Sequence, residues 1–412
     1  MTRDTVAGRL GSAVTRLTGA RPPVRLRGWD GSEAGPDGGP VLVVRSRRAL
    51  RRLMWDPGEL GLARAYIAGE IDVEGDLDAG LRTAWAWGRD GRMRRPRPAE
   101  LAGLLGTAVR LGAVGPRPKP PGNEIRLGGG THTRARDRAV ISAHYDLSND
   151  FYRLILDPRM VYSCGYWTGA AGETVADAQR AKLDLICGKL GLEPGMRLLD
   201  VGCGWGALIL HAAQEHGVEA VGVTLSAAQA AHVRDRVAEL GLGDRVEVRH
   251  QDYRDVADGP YDAVASVEMG EHVGLRDYPA FARSLHDRLR PGGRLLVQQM
   301  SHGAGAPDGG AFITSYIAAD MHMRPVGDTL TLLEGAGLEI RGVQALREHY
   351  VRTVRAWRAT LERRWSEAVA LVGEPTARTW RLYLTGGALA FEQRRMGVDQ
   401  ILAVRPGPGA GA

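Results

Sequence analysis

Apolar residues in the second half of the chain fall in short unbroken runs: RLLDVGC (197–203), EAVGVTL (219–225), RVEVRH (245–250), YDAVASVE (261–268) and GRLLVQQM (293–300). Runs of this length predict strands covered on both faces. Helical spacing occupies 205–215, 227–240 and 278–290, between most of these runs. Strand alternating with helix predicts an α/β domain built on a parallel sheet with helices on both faces. LEIRGVQAL and VDQILAVRP predict two more strands near the end of the chain, and the region of about 350–395 between them reads as helical. Within it Val351, Val354, Trp357, Leu361 and Trp365 form an i, i+3/i+4 stripe, the pattern of a helix face packed on a core.

The first 115 residues are patterned differently. VRLRGWDG and VLVVRS read as strands around a turn rich in Gly, Asp and Pro, from Gly31 to Pro40. Residues 47–54, 58–68, 77–88 and 99–113 read as helices, which together predict a small α+β N-terminal domain. PRPKPPGNEIRLGGGTHTRARD (116–137) has no periodicity and predicts an exposed linker, taken as 116–139. The catalytic domain is then expected at 140–406, followed by a disordered GPGAGA tail at 407–412.

Charge adds a second contrast between the halves. The 412 residues carry a net charge of +6, but residues 1–140 hold 25 of the 54 Lys and Arg and only 15 of the 48 Asp and Glu. That is +10 for the first part and −4 for the remainder. A basic segment suits an anionic polymer or an anionic membrane surface. Only three of the cations are lysines, Lys119, Lys182 and Lys189, which is read as coding bias toward arginine. No run of 18 apolar residues is present, so no membrane span is expected, and the first residues lack the apolar core of a signal peptide. Three cysteines, Cys164, Cys187 and Cys203, do not make a disulfide framework, which fits a reducing cytoplasm. No Cys/His group has zinc spacing, so no metal is expected.

Chemistry enters at Asp200-Val-Gly202-Cys-Gly204-Trp-Gly206, which ends the first strand of the sheet and opens a helix. Glycines there let the backbone turn sharply and a ligand approach it closely. Alone, such a turn serves NAD, FAD or S-adenosylmethionine, but its spacing departs from the dinucleotide G-x-G-x-x-G. It resembles the first motif of class I methyltransferases. Gly222-Val-Thr224-Leu225-Ser226 ends the second strand and Gln251-Asp252-Tyr253 the third, so three successive strand ends carry groups able to meet a ligand.

Two further stretches narrow the resemblance. His144-Tyr145-Asp146-Leu147-Ser148-Asn149-Asp150-Phe151-Tyr152 precedes Tyr162-Ser163-Cys164-Gly165-Tyr166-Trp167, and Ser266-Val267-Glu268-Met269-Gly270-Glu271-His272-Val273-Gly274 follows. From about residue 140 to 405 the chain resembles the cyclopropane-fatty-acyl-phospholipid synthase family, whose members use S-adenosylmethionine to modify cis double bonds of phospholipid acyl chains. The resemblance implies a class I methyltransferase Rossmann-like sheet. It places the S-adenosyl-L-methionine cofactor against Tyr162, Ser163, Gly202, Gly204, Gly206, Thr224, Leu225, Gln229 and Tyr253. It also implies a bicarbonate in an active site formed by Cys164, Glu271 and Tyr350. Where the family's classic members carry a histidine, this chain has Gln298, which forms hydrogen bonds but does not titrate near neutrality. Some relatives associated with methylene- or methyl-branched acids share that glutamine.

Methyl transfer to an alkene leaves a carbocation, and ring closure requires loss of a proton; a bound bicarbonate is the expected base. Cys164, Gln298 and Tyr350 are expected to donate to it, and Glu271 to orient it, with Glu268 as the structural carboxylate. Tyr145, Tyr166 and Trp167 are candidates for stabilising the cation through their ring faces. His272 reads as structural, and Cys187 and Cys203 as packing. Residues 302–336, with Phe312, Ile313, Tyr316, Ile317, Met321 and Met323, are placed to line an acyl tunnel or form a lid. Loss of the proton to form a cyclopropane is the first reading; a 10-methylene or methyl-branched product of the same first step is the alternative. A catalytically inactive lipid-binding homologue is a third. The implied partner is an unsaturated phospholipid at the inner membrane face, met by a cytoplasmic, peripheral protein through its basic N-terminal part. The resemblance is compatible with a homodimer. No nucleic acid is expected, since no Asn-Pro base-flipping motif is present.

Overall fold

The computed structural model describes residues 4–89, 98–125, 128, 130–145, 149–303 and 310–407. They divide into two compact units: Met1–Glu124 with Val372–Leu389, and Ile125–Leu371 with Ala390–Ala412. The division at 124/125 falls inside the expected 116–139 linker. Part of that linker is helical, since a helix runs Arg134–Tyr145.

The first unit contains four short strands: β1 (Arg25–Arg27), β2 (Glu33–Ala34), β3 (Val41–Val44) and β4 (Ile71–Glu74), in the order β2-β1-β3-β4. Its core gathers Leu10, Leu26, Val44, Ala49, Ala65, Tyr66, Ile71 and Leu77, so helix and strand faces share one apolar centre. Two buried arginines are fully committed within it. Arg52 forms a two-pronged pair with Glu70 at 2.8 and 3.0 Å, and Arg64 a similar pair with Glu124 at 2.6 and 2.8 Å. A buried guanidinium is tolerated only with such pairing.

The sequence pattern assigns 350–395 to the catalytic domain as one helical region. It is three helices instead: Arg347–Arg363, Trp365–Val372 and Glu374–Glu392. Gly373, at φ 76°, breaks the last two. Most of the third helix belongs to the first unit. There Arg378 is buried, donating to the carbonyls of Tyr66 and Ile71 with its guanidinium 4.2 Å above the Tyr66 ring. Periodicity announces a helix but not the surface it packs on.

The second unit holds seven strands: β5 (Arg197–Val201), β6 (Glu219–Thr224), β7 (Val246–His250), β8 (Tyr261–Val267), β9 (Leu289–His302), β10 (Glu339–Ala345) and β11 (Met396–Val404). The order is β10-β11-β9-β8-β5-β6-β7. β5 to β9 pair in parallel, and β11 joins antiparallel between β9 and β10. This is the helix-covered, largely parallel sheet that the alternating pattern predicts, in the class I methyltransferase arrangement that the resemblance implies. One face is covered by helices Val175–Leu190, Ala207–His216 and Ala227–Glu239, the other by Tyr278–Arg288 and Val326–Gly335. Helix starts are fixed locally: Thr174 and Asp177 form a capping box, and Ser226 accepts from the Gln229 N–H. After β5 the chain proceeds to β6 and β7, then crosses back to β8 and β9. The carboxyl ends of β5 and β8 therefore flank the switch point, where ligands bind in such sheets.

Candidate active site

A cavity opens at that switch point. Its walls include Tyr162, Ser163, Lys182, Asp200, Gly202, Gly204, Trp205, Thr224, Leu225, Gln229, Tyr253 and Glu268. Gly202 has φ 85°, and a Cβ there would meet the Met269 side chain at 2.7 Å, so both backbone and space demand glycine. Gly206 caps the following helix at φ 82° and faces Val233 rather than the cavity lining. It shapes the turn. Among the described residues, four of the five non-glycine residues with positive φ, His132, Met160, Glu268 and Asp320, line this cavity, and backbone strain of this kind collects at functional sites.

The cofactor side is built from strand ends. Thr224 donates to Gln229 Oε1 at 2.7 Å, leaving the Gln229 amide NH2 as the donor end. Asp200 is buried with one carboxylate oxygen unpartnered among the described residues, and burial pushes it up to about 7. Ser163 Oγ accepts from the buried Lys182 ammonium at 3.0 Å. Burial lowers the Lys182 pKa, partly opposed by the nearby Glu268 and Asp157. The unsatisfied carboxylate, the donors and the glycine-walled turn fit S-adenosylmethionine. Lys182 and Asp200 were not singled out from the sequence. Asp200 opens the glycine motif, which was a signal; nothing in the pattern around Lys182 marked it.

The carboxylate pair is arranged opposite to expectation. Glu268, at φ 51° directly after β8, turns its side chain into a hydrogen-bonded network at the cavity wall. It accepts from the Tyr350 hydroxyl at 2.6 Å, the Cys164 backbone N–H at 2.8 Å and the Gln298 amide at 2.8 Å. Burial pushes its pKa up, opposed by those three hydrogen bonds and by Lys182. Glu271 is not part of the cavity wall. One of its oxygens accepts from the Met300 N–H at 2.5 Å, and the other has no partner among the described residues. Burial and the charge of Glu268 push it up to about 8. Of the two, Glu268 faces the reaction cavity and Glu271 pins the turn to β9. The reason is the left-handed backbone at Glu268, which spacing along the chain does not reveal.

Cys164, Gln298 and Tyr350 are thus brought together, but around Glu268. The Cys164 thiol itself donates to the Gly165 carbonyl, and burial raises its pKa well above the ordinary value. With these donors engaged by a resident carboxylate, the residues do not fit a separate bicarbonate.

The aromatic candidates are also redistributed. Tyr166 stacks on His349 at 4.8 Å, and Trp167 donates to Thr353 under the Arg352 guanidinium, so both pack against the Arg347–Arg363 helix. A buried indole N–H needs a partner, and Thr353 supplies it. The aromatic rings at the cavity include those of Tyr162, Trp205 and Tyr253, with Tyr152 behind the first two at 5.6 and 4.7 Å. The Tyr145 side chain, residues 146–148, 304–309 and the tail from 408 lie outside the described residues. In the 302–336 segment Phe312 and Tyr316 are buried and stacked, and Ala319 and Asp320 reach the cavity wall. His272 also lines it. Cys187 lies close to His211 and His216, but burial holds the thiol up to about 12 and Asp184 already binds His211, so the trio reads as packing.

Comparison with known proteins agrees with the sheet. The family model described as mycolic acid cyclopropane synthetase matches residues 132–401. The chain is 38% identical over 401 residues to the probable fatty acid methyltransferase Rv3720 of Mycobacterium tuberculosis, covering 94% of this chain and 92% of that one. It is 33% identical over 415 residues to tuberculostearic acid methyltransferase UfaA1 of the same organism, covering 97% and 92%. Among solved structures it resembles the mycolic acid cyclopropane synthase CmaA1 complexed with SAH and CTAB. That match has 34% identity and a TM-score of 0.61, over 65% of this chain and 98% of that one.

Proposed function

The chain belongs to the mycolic acid cyclopropane synthetase family of S-adenosylmethionine-dependent methyltransferases, and on that premise we propose that it methylates a cis double bond in a phospholipid acyl chain, with Glu268 taking up the proton. The observation that carries the reading is the position of Glu268, on the wall of the cofactor cavity and held by three donors.

S-adenosylmethionine supplies a methyl group made electrophilic by its sulfonium. Gly202, Gly204, Thr224, Leu225, Gln229 and Tyr253 would hold it along the strand ends, with Tyr162 and Ser163 opposite. The rings of Tyr162 and Trp205 present electron-rich faces to positive charge. Glu268 places a negative charge beside the cation that develops on the acyl chain, and such stabilisation strengthens as water is excluded. A C–H bond of the added methyl then breaks. Its electron pair closes a ring or forms a new double bond, and the proton passes to the Glu268 carboxylate. Tyr350, the Cys164 N–H and Gln298 keep that carboxylate aimed. No bicarbonate is required.

Two products follow from this one step. A cyclopropane results if the added methyl loses the proton and closes on the original cation. A 10-methylene chain results if a hydride shifts first and the methyl then loses its proton; a saturated methyl branch would need a further reduction by a separate hydride donor. The second is favoured by the relatives that match nearly the whole chain, which carry the names of fatty acid methyltransferases, and by Gln298.

The substrate reading assigns the first unit to the bilayer. Trp55 (54% exposed) lies beside Gly115, to whose carbonyl its indole donates, and Met54 and Val114 are also exposed. Arg47, Arg48 and Arg51 stand on the same helix, and Arg51 donates to the carbonyls of Ala113 and Val114. Apolar side chains among arginines suit the interface of an anionic membrane.

The test is incubation of the purified protein with labelled S-adenosylmethionine and vesicles of oleoyl phospholipid. Mass and double-bond analysis of the released acids distinguishes ring from methylene. Absence of label in lipid overturns the assignment.

A further inference from the structure

A line of amides runs from Glu268 across the sheet to a lysine. Gln298, Gln400 and Gln344 stand side by side on β9, β11 and β10, each the direct register partner of the next. Gln298 donates to Glu268 Oε1 at 2.8 Å, and its own oxygen accepts from Gln400 at 2.9 Å. The Lys189 ammonium donates to the oxygens of Gln400 at 2.6 Å and Gln344 at 2.5 Å. Gln298 and Gln400 are buried at 0% and 1% exposure, so water does not substitute for the bond between them.

We propose that Lys189 is a positioning residue for the reaction: through Gln400 it fixes the orientation of the Gln298 amide, so that an NH2 group and not a carbonyl oxygen faces the Glu268 carboxylate. The proposal rests on Glu268 being the proton acceptor. An ammonium has donors only, and an amide has one donor end and one acceptor end. Lys189 therefore turns the Gln400 oxygen toward itself, which leaves the Gln400 NH2 for the Gln298 oxygen. The Gln298 NH2 is then directed at Glu268. A cation at one end and a carboxylate at the other demand the same sense along the whole line. Without the cation, Gln400 loses its preference, and an inverted Gln298 sets its oxygen against the carboxylate. The rest of Lys189's surroundings do not duplicate its role: Arg294 reaches only the Lys189 backbone carbonyl. Lys189 does not touch the cavity, and glutamine amides are poor proton carriers, so the line orients the carboxylate and does not conduct protons.

The test is steady-state kinetics on oleoyl phospholipid vesicles. Lys189→Met is expected to lower kcat by roughly 10- to 100-fold with KM for S-adenosylmethionine within twofold of the parent. Lys189→Arg, which keeps the cation, is expected to recover most of the rate. Gln400→Met interrupts the line one residue nearer and is expected to reproduce the kcat loss if Lys189→Met does not fold. Unchanged kcat in Lys189→Met or Gln400→Met overturns the proposal, as does a loss shared equally by kcat and cofactor affinity. Full activity in Glu268→Gln instead overturns the base assignment, whatever the Lys189 variants do. A Glu268→Gln variant without activity, alongside fully active Lys189→Met, removes only the present inference.

Discussion

The two units treat charge and apolar surface in opposite ways. In the first, buried charges meet opposite charges directly: Arg52 with Glu70, and Arg64 with Asp56 and Glu124. Its apolar residues, by contrast, are left partly outside. Among the described residues, seven of the ten large apolar side chains most exposed to solvent lie there, Trp55, Leu105 and Val109 included. In the second unit apolar residues are largely enclosed, and although Asp252 pairs with Arg254 and Asp320 with Arg136, the two buried carboxylates after β8 are left without a direct arginine. Glu268 is held by neutral donors, and Glu271 keeps one oxygen unpartnered. Direct ion pairs stabilise a fold but silence the groups in them. A carboxylate held by a phenol, an amide and a backbone N–H keeps its capacity to take a proton.

The sharpest way to break this comparison is Glu268→Gln. It keeps the shape of the side chain and removes the base, and the rate is expected to fall about 10³-fold, within the range of general-base contributions. S-adenosylmethionine binding, measured by calorimetry, should change little. A near-normal rate would return Glu268 to a structural role. The next effect is thermodynamic. The folded pKa of Glu271 is pushed up from its ordinary carboxylate range to about 8. The native state therefore holds a proton that the unfolded chain has lost, and its stability declines as pH rises toward 8. The slope approaches about 1.4 kcal/mol per pH unit. Glu271→Gln removes that slope, so its stability advantage over the parent should grow from pH 5.5 to pH 8 and then level off in urea unfolding. A constant offset at every pH would show that Glu271 carries no buried proton. On the other unit, Trp55→Ser should weaken binding to anionic vesicles about tenfold, as expected for loss of one exposed aromatic at an interface. Binding should also weaken with salt. Equal binding by parent and variant would detach this face from the membrane.

Legibility of the sequence follows the same division. The parallel strands of the second unit announce themselves, because strands covered on both faces must be continuous apolar runs. The glycine turn after β5 is visible for a similar reason, since only glycine satisfies the backbone at Gly202 beside Met269. Side-chain direction is another matter. Glu268 and Glu271 are three residues apart at one strand end, and the choice between them is made by a single left-handed backbone conformation. Tyr166 and Trp167 sit next to Cys164 in sequence but are drawn away by His349 and Thr353, residues more than 180 positions later. The helix Glu374–Glu392 is patterned as a helix, yet its attachment to the first unit depends on carbonyls of Tyr66 and Ile71 that no local pattern encodes. The glutamine line is hidden for the same reason: register across β10, β11 and β9 creates it.

The smallest expected effect is also the most direct test of how the second unit handles its buried carboxylate. The rate in buffer stripped of carbon dioxide and bicarbonate should stay within about twofold of the rate with bicarbonate restored. A separate bicarbonate would need donors, and the Tyr350 hydroxyl, the Cys164 N–H and the Gln298 amide are already engaged by Glu268. Displacing Glu268 would leave its carboxylate buried without those bonds, at a cost of about 1–3 kcal/mol for each charged hydrogen bond lost. A collapse of the rate on stripping, reversed by added bicarbonate, would mean that Glu268 swings aside in the working enzyme. In that case Glu268→Gln would retain bicarbonate dependence. Under the present assignment that variant is inactive with or without bicarbonate, so the two experiments together separate a built-in base from a borrowed one.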